Sequence, residues 1–152
     1  MEIVLIKIGT FDDVNDERRN FNYINSVNGR RLSSKYTNQF GDVPLIRLAE
    51  MYLIRAEANL QAATTVGDTP LNDINRLRTR AKATLFTTVT LANILREREL
   101  ELGMEGFRIH DIKRTKGSIS SSYAWDSDLL VFPIPLRETN VNTLITQNPG
   151  YY

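Results

Sequence analysis

Apolar residues recur every three to four positions through the middle of the chain, a spacing typical of amphipathic α-helices. The longest series predicts a helix over 44–62, with Asp42 as its N-cap and Pro44 in its first turn, where the missing N–H costs nothing. A second helix is predicted over 70–82, because Pro70 again follows polar capping residues. We expect the apolar stripes of the two helices to face each other in an antiparallel pair.

Two further helices follow in the same pattern. Thr90 is the predicted N-cap of the third, which carries its leucines and isoleucines on one face and ends where Gly103 and Gly106 interrupt the series. A fourth, short helix is predicted from Phe107 and stops before Gly117. The four segments predict two helix-turn-helix pairs.

The C-terminal part lacks this periodicity. Residues 118–128 form a Ser-rich segment that predicts a loop, and 129–132 predict a short, buried extended run. Pro133 and Pro135 exclude a central strand at this position because they cannot donate to a sheet ladder. Pro135 can also open a turn of helix over 136–140.

The sequence therefore predicts a mainly α fold. We expect a single domain or fragment over 1–152, because no Gly-, Ser- or Pro-rich linker divides the chain. It would consist of an irregular, β-prone lead-in over 1–40, a helical body over 41–116, and a C-terminal wrap of loops and short extended segments over 117–152.

Composition removes several classes of function. The 152 residues are 41% hydrophobic and 24% charged, which excludes a disordered chain, and 19 basic against 18 acidic residues leave no polybasic field for nucleic acid. The chain has no cysteine and one histidine, so disulfides, thiolate nucleophiles and multi-histidine metal centres are excluded. We expect no cofactor, no metal site, no transmembrane segment, and no signal peptide at 1–8.

The densest charged stretch offers one candidate catalytic pair. Glu97 and Glu101 are four residues apart on the third helix and share a face, and paired carboxylates are what glycoside hydrolysis needs. Interleaved arginines favour the simpler interpretation, an ion-pair network that serves the structure. His110 beside Asp111 could form an oriented base, although neighbours in a helix point in different directions.

Two loops contain other candidate chemistry. The acidic run over 12–17 is rich in oxygen ligands, but it lacks the glycine and the distal glutamate of a calcium loop, so a capped turn is favoured. Tyr123 and Trp125 lie in the Ser-rich segment, where exposed aromatic rings can stack on the apolar faces of sugars. The alternative is that Trp125, the only tryptophan, folds back onto the core.

Five motifs, in order, carry a resemblance to the SusD/RagB family. The first two are VPLIRLAEMYLIRAEA at 43–58, which resembles the P-x-x-R-x-A-E-x-Y-L-x-x-A-E-A helix, and LNDINRLRTRA at 71–81, similar to L-N-x-I-R-x-R-A. The third covers ILRERELEL at 94–102, followed by EGFR and DIKR. The closing two are LVFPIP at 130–135 and QNPGY at 147–151. A weaker match is DERR at 16–19, which resembles the D-x-R turn of the family.

The resemblance implies a Bacteroidetes-type, outer-membrane, glycan-binding lipoprotein of the cell surface, which is not an enzyme and partners a SusC-like TonB-dependent transporter. Its implied fold is mainly α, with tetratricopeptide-like helix pairs as the scaffold. The matched motifs belong to the C-terminal part of the family pattern, and the N-terminal part, with its signal peptide and lipidated cysteine, has no match in this chain.

The family pattern also gives the repeated charged residues a structural role. Six of them are expected to pair between helices: Glu57, Arg78, Glu97, Arg98, Glu101 and Arg108. Three functions stay open at this point. The first is glycan binding without turnover, through Tyr123 and Trp125 if this part of the chain contacts ligand. The others are a protein-interaction scaffold of helix pairs, and a glycosidase that uses Glu97 and Glu101.

Overall fold

The computed structural model describes residues 11–38, 40–120 and 123–151. The chain forms two compact units, one that ends at Glu105 and one that begins at Gly106. Within the described residues five α-helices accompany four strands of two or three residues each, so the mainly α prediction is confirmed. The predicted β-prone stretch at 2–8 lies outside the described residues.

The first unit begins with a short hairpin and continues with three helices. Strands β1 and β2 are antiparallel, with Tyr23 opposite Leu32, and follow a 3-10 turn. The bounds of the elements, in chain order, are Glu17–Phe21 for the 3-10 turn, Asn22–Ile24 for β1, Arg31–Ser33 for β2, Leu48–Ala62 for α1, Pro70–Arg80 for α2 and Leu91–Glu101 for α3.

Helix α1 packs against both α2 and α3, and their apolar stripes form the core of this unit. Leu53 of α1, Ile74 of α2 and Ile94 of α3 are each completely buried. Smaller residues such as Ala49 and Ala56 allow close approach of the helices because they add little volume at the contact. The predicted pairing of the first two helices is thereby confirmed.

Helix α1 begins later than the sequence predicts. The expected start near Pro44, capped by Asp42, is wrong: the helix begins at Leu48, and Arg47 precedes it in extended backbone with no side-chain cap. Leu45 and Ile46 are 86% and 73% exposed, so no packing surface stabilises an earlier turn. The guanidinium of Arg47 is also held by two carboxylates of the third-helix region, which favours the extended conformation of its backbone.

The turn between α1 and α2 is organised by Asn59, a buried amide near the end of α1. Its Nδ2 donates to the backbone oxygens of Val66 and Asp68, each at 3.0 Å. Its Oδ1 accepts from the Val66 backbone N–H at 3.0 Å and from the Thr64 hydroxyl at 2.8 Å. One side chain therefore satisfies four polar groups of the loop and fixes the antiparallel return of α2.

Helix α3 begins at Leu91, directly after Thr90, which is its N-cap as predicted. The Thr90 hydroxyl accepts from the Asn93 backbone N–H at 3.2 Å, and Asn93 Oδ1 accepts from the Thr90 backbone N–H at 3.0 Å, which completes a capping box. Two of the backbone N–H groups that have no partner within the helix are thereby satisfied.

Replacing Thr90 with alanine should lower the free energy of unfolding by about 1 kcal/mol, the usual worth of an N-cap. Urea unfolding followed by circular dichroism measures the change. Thr87→Ala is the matched control, because Thr87 is an exposed residue of the preceding connector. Equal stability of the Thr90→Ala variant and the control would contradict the assigned cap.

The second unit contains two helices and a small hairpin. Helix α4 begins after Gly106, whose φ of +84° is a conformation that residues with a side chain rarely adopt. The bounds are Phe107–Thr115 for α4, Ser118–Ser120 for β3, Tyr123–Ala124 for β4, Asp128–Leu130 for a 3-10 turn and Leu136–Val141 for α5. Helix α5 confirms the predicted turn of helix after Pro135.

Two predictions for this unit are wrong. The segment at 118–128 is not only loop, because β3 and β4 pair in antiparallel register with Ser118 opposite Ala124. The run at 129–132 is neither extended throughout nor buried: it begins in a 3-10 turn, and Phe132 is 86% exposed. A short apolar run that ends at a proline is compatible with a buried strand and with an exposed turn, so the pattern alone does not separate the two.

The two closing motifs are joined by hydrogen bonds between side chains of the second and the backbone of the first. Gln147 Oε1 accepts from the Ile134 backbone N–H at 2.8 Å, and Gln147 Nε2 donates to the Ile134 carbonyl at 2.9 Å, as a strand partner would. Asn148 Nδ2 donates to the Phe132 carbonyl at 2.7 Å, and the Tyr151 hydroxyl donates to the Val131 carbonyl at 2.8 Å. These four hydrogen bonds join the two closing motifs within the second unit.

Candidate functional site

A buried network in the first unit contains three of the six charged side chains that the sequence singles out, Arg78, Glu97 and Glu101. Glu101, at the end of α3, is its centre and is 3% exposed. Arg80 Nη2 donates to both carboxylate oxygens at 2.7 and 2.6 Å, Arg18 Nη1 donates to Oε2 at 3.2 Å, and Arg47 Nη1 donates to Oε1 at 3.1 Å. Three guanidinium groups therefore surround one carboxylate.

Glu97, one turn earlier in α3, is bound in the same way and is 1% exposed. Its Oε2 accepts from Arg78 Nη1 at 2.8 Å, and its Oε1 lies 2.6 Å from Arg18 Nη1 without the alignment of a hydrogen bond. Arg18 is fixed in turn by Asp16, which accepts from Arg18 Nη2 at 2.6 Å. The D-x-R turn of the first unit is thereby joined to α3.

A third acidic residue extends the network toward the surface. Glu105 accepts hydrogen bonds from Arg47 Nε at 3.0 Å and from Nη2 at 2.8 Å, and it also pairs with the ammonium of Lys35. The same ammonium donates to the backbone oxygens of Glu101 and Gly103 at 2.8 and 2.9 Å. The network thus caps the C-terminal end of α3 with cations, where the helix dipole is negative.

This geometry contradicts the glycosidase hypothesis. A general acid or nucleophile must reach substrate, whereas Glu97 and Glu101 are buried and their oxygens face arginines. The expected structural pairing is confirmed for Arg78, Glu97 and Glu101, and Arg98 is buried on the same helix. Glu57 is buried on α1 and accepts from Gln61 at 3.0 Å.

The surrounding charges set the acidity of Glu101. Burial would raise the pKa of this carboxyl, but the hydrogen bond from Arg80 and the charges of Arg80, Arg18 and Arg47 outweigh it, so the pKa is lowered from its ordinary value of 4.5. A lowered folded-state pKa means that the carboxylate stabilises the fold above pH 4.5 and that this contribution is lost as the pH falls through the folded pKa.

We therefore expect the stability difference between the wild type and Glu101→Gln to be largest near neutral pH and to shrink below pH 4.5. The measurement is the free energy of unfolding of both proteins in urea at a series of pH values between 7 and 3. A difference that stays constant over this range would show that the charge of Glu101 does not stabilise the fold.

The acidic residues at 12–17, which the sequence offers as possible metal ligands, are also bound by groups of the protein. Asp13 accepts from the backbone N–H groups of Thr84 at 2.6 Å and Asn15 at 3.0 Å, which lower the pKa of its carboxyl, and Asp12 pairs with Arg96. Within the part of the chain that the structure describes, no three His, Asp or Glu side chains converge as metal ligands. In this structure the carboxylates of the acidic run are bound by backbone N–H groups and arginines, as in the capped turn that the sequence favours.

His110 and Asp111 do not form a catalytic pair. His110 is exposed on α4, whereas Asp111 is buried and accepts from Arg114 Nε at 2.9 Å and from Arg114 Nη2 at 2.7 Å. The carboxylate is thus directed to the next turn of its own helix, and the neighbouring imidazole points elsewhere on the helix surface.

The aromatic candidates lie at the end of the small hairpin in the second unit. Tyr123 is half-buried in β4, and Trp125 is 39% exposed in the turn that follows. The backbone N–H of Ser127 donates to the Ala124 carbonyl at 2.9 Å, so Trp125 and Asp126 are the two central residues of a tight turn. The Trp125 side chain is therefore partly covered and partly open to solvent in this turn.

The sequence does not predict one neighbour of the tryptophan. Lys116, directly after α4, places its ammonium 5.6 Å from the centroid of the Trp125 ring, within the range of a cation–π contact. The two residues are nine positions apart in the sequence, and no helix or strand period connects them. Only the return of the β3–β4 hairpin brings them together.

The chain belongs to the SusD family, whose model matches residues 9–126. It is 37% identical over 123 residues to the starch-binding protein SusD of Bacteroides thetaiotaomicron, covering 72% of this chain and 22% of that protein. A solved SusD superfamily protein from Bacteroides vulgatus matches with a TM-score of 0.65 and 26% identity, over 91% of this chain and 36% of the other.

A SusD-like carbohydrate binding protein from the same organism matches with a TM-score of 0.59 and 30% identity, over 70% of this chain and 26% of the other. The chain therefore spans about a fifth to a third of the length of these relatives. The resemblance drawn from the five motifs is confirmed. Among the described residues, no helix has the length and apolar character needed to cross a membrane.

Proposed function

We propose that this chain forms part of a non-catalytic oligosaccharide-binding protein that serves glycan uptake at the cell surface. Membership of the SusD family supports it, together with two relatives whose names state starch or carbohydrate binding. We also propose the outer membrane as its location and a SusC-like, TonB-dependent transporter as its partner, both of which follow from the family.

The surface that would contact the glycan is the pair Tyr123 and Trp125. The carrying observation is that the only tryptophan of the chain is 39% exposed at the centre of a tight turn, where a ring can be presented flat to a sugar. Stacking by one or two rings contributes about 0.5–1.5 kcal/mol each beyond the buried area. The expected dissociation constant is therefore millimolar or weaker, since 1 mM corresponds to about 4 kcal/mol.

Titrating the chain with malto-, xylo- and mannan-derived oligosaccharides, and following the emission of Trp125, tests this proposal. We expect at least one series to shift the emission. Tyr123→Ala should weaken that response about two- to tenfold. Phe132→Ala is the matched control, because this ring is exposed in the same unit and lies outside the hairpin. A flat response across all three series, with an already blue-shifted emission in the free protein, would refute the proposal.

A second candidate is a protein-interaction scaffold, and one observation favours it. The segment that enters α1 presents apolar side chains to solvent: Leu45 is 86%, Ile46 73% and Leu48 67% exposed. Exposed apolar patches of this kind mark surfaces that contact other polypeptide. Binding of a transporter or other protein that is lost in Ile46→Asp, with no response to any oligosaccharide, would favour this candidate over the first.

A further inference from the structure

The end of α4 fixes Lys116 beside the tryptophan. Lys116 has a φ of +52°, and the next N–H, that of Gly117, donates to the Ile112 carbonyl at 2.9 Å, which closes the helix. The backbone of Lys116 is thus determined, while its side chain is exposed. Among the contacts that the structure describes, its ammonium faces the Trp125 ring at 5.6 Å instead of a carboxylate.

The C-terminal end of α4, which lies beside the Trp125 ring, is positively charged. Lys113, Arg114 and Lys116 follow one another within the last turn and its cap. Arg114 is neutralised by Asp111, at 2.7 Å, whereas Lys113 and Lys116 are exposed. Two ammonium groups are therefore presented to solvent at this end of the helix, and one of them, that of Lys116, lies over the ring of Trp125.

We propose that this site prefers an acidic oligosaccharide, one whose sugars carry a carboxylate as uronic acids do. The inference rests on the proposed function. The exposed part of the Trp125 ring would accept the C–H face of the sugar, and the exocyclic carboxylate would extend past the edge of the ring. Lys116 has a flexible four-carbon stem, so its ammonium can leave a weak π contact and pair with that carboxylate.

One nearby charge acts in the opposite direction. Asp126 directly follows Trp125 in the tight turn and is exposed, so its carboxylate repels an anion that approaches from that side. The acid group of the sugar must therefore lie toward Lys116. This arrangement also predicts that Asp126→Asn strengthens binding of the acidic sugar and leaves binding of a neutral one unchanged.

The experiment compares an oligogalacturonate with its methyl ester, which has the same length and linkage but no charge. Binding to the complete chain is followed through Trp125 emission at low ionic strength. We expect the acid to bind about two- to fivefold more tightly than the ester, the range of an exposed ion pair, and the preference to disappear at high salt. Lys116→Gln should abolish the preference, and Lys116→Arg should keep it.

Lys113→Gln is the matched control, because it removes an equally exposed charge from the same helix end without a described ring contact. It should keep most of the preference. Equal affinity for acid and ester in the wild type, or a preference that survives Lys116→Gln, would overturn this inference and leave the proposed function intact. No emission change with acid, ester or any neutral oligosaccharide would overturn both.

Discussion

Glu101→Gln should lower the free energy of unfolding by about 3 kcal/mol at neutral pH, the lower end of the cost of breaking a buried ion pair. The substitution keeps the shape of the side chain but leaves three guanidinium groups without their common counter-charge. Arg18 is 7% exposed and cannot recover this interaction from water, whereas Arg80 is 55% exposed and can, which limits the loss.

The control for this experiment is Glu99→Gln in the same helix. Glu99 is 20% exposed and pairs with Arg96, which is 31% exposed, so solvent screens the pair and the expected loss is below about 1 kcal/mol. Chemical unfolding of both variants at pH 7 measures the difference. Equal losses would mean that burial of the network adds nothing to the contribution of its ion pairs.

Leu53→Asp should abolish the cooperative unfolding of the first unit or lower its stability by about 4 kcal/mol or more. Leu53 is completely buried where α1 packs on α2 and α3, so the new carboxylate would lose its hydration on folding. Thermal unfolding, followed by circular dichroism at 222 nm, is the measurement.

Ile54→Asp, one residue further along α1, provides the comparison. Ile54 is 46% exposed, so its carboxylate would remain hydrated and the melting temperature should change little. If Leu53→Asp also melted at the wild-type temperature, the antiparallel packing of α1 on α2 would be wrong. A large effect of Ile54→Asp alone would place the buried face of α1 on the opposite side.

The helices with distinct capping chemistry are the ones that the sequence predicts well. Thr69 and Thr90 accept hydrogen bonds from Asn72 and Asn93, so local chemistry determines where α2 and α3 begin. The start of α1 is wrong because a local signal, Pro44 after Asp42, competes with a distant one. The contacts of Arg47 with residues more than fifty positions away hold the chain extended, and a helical pattern contains no trace of them.

In the candidate site, too, contacts between distant residues could not be predicted from the sequence. Alternating charges in α3 predict ion pairs, but the partners of Glu101 lie on other elements, with Arg18 separated from it by 83 positions. The D-x-R motif is the one sequence signal for that contact. The polar surroundings of Trp125 in the sequence make it a candidate for sugar stacking. They give no sign of Lys116, because the position of Lys116 over the ring depends on a two-stranded hairpin that the Ser-rich segment does not predict.

The most direct test of the proposed binding surface is iodide quenching of Trp125, with and without a saturating oligosaccharide. The ring is 39% exposed in the free protein, so iodide should quench it readily. A bound sugar that stacks on the ring should cover it and lower the quenching constant. An oligosaccharide that binds, as shown by calorimetry, but leaves quenching of Trp125 unchanged would contradict the account, because the glycan would then lie elsewhere on the chain.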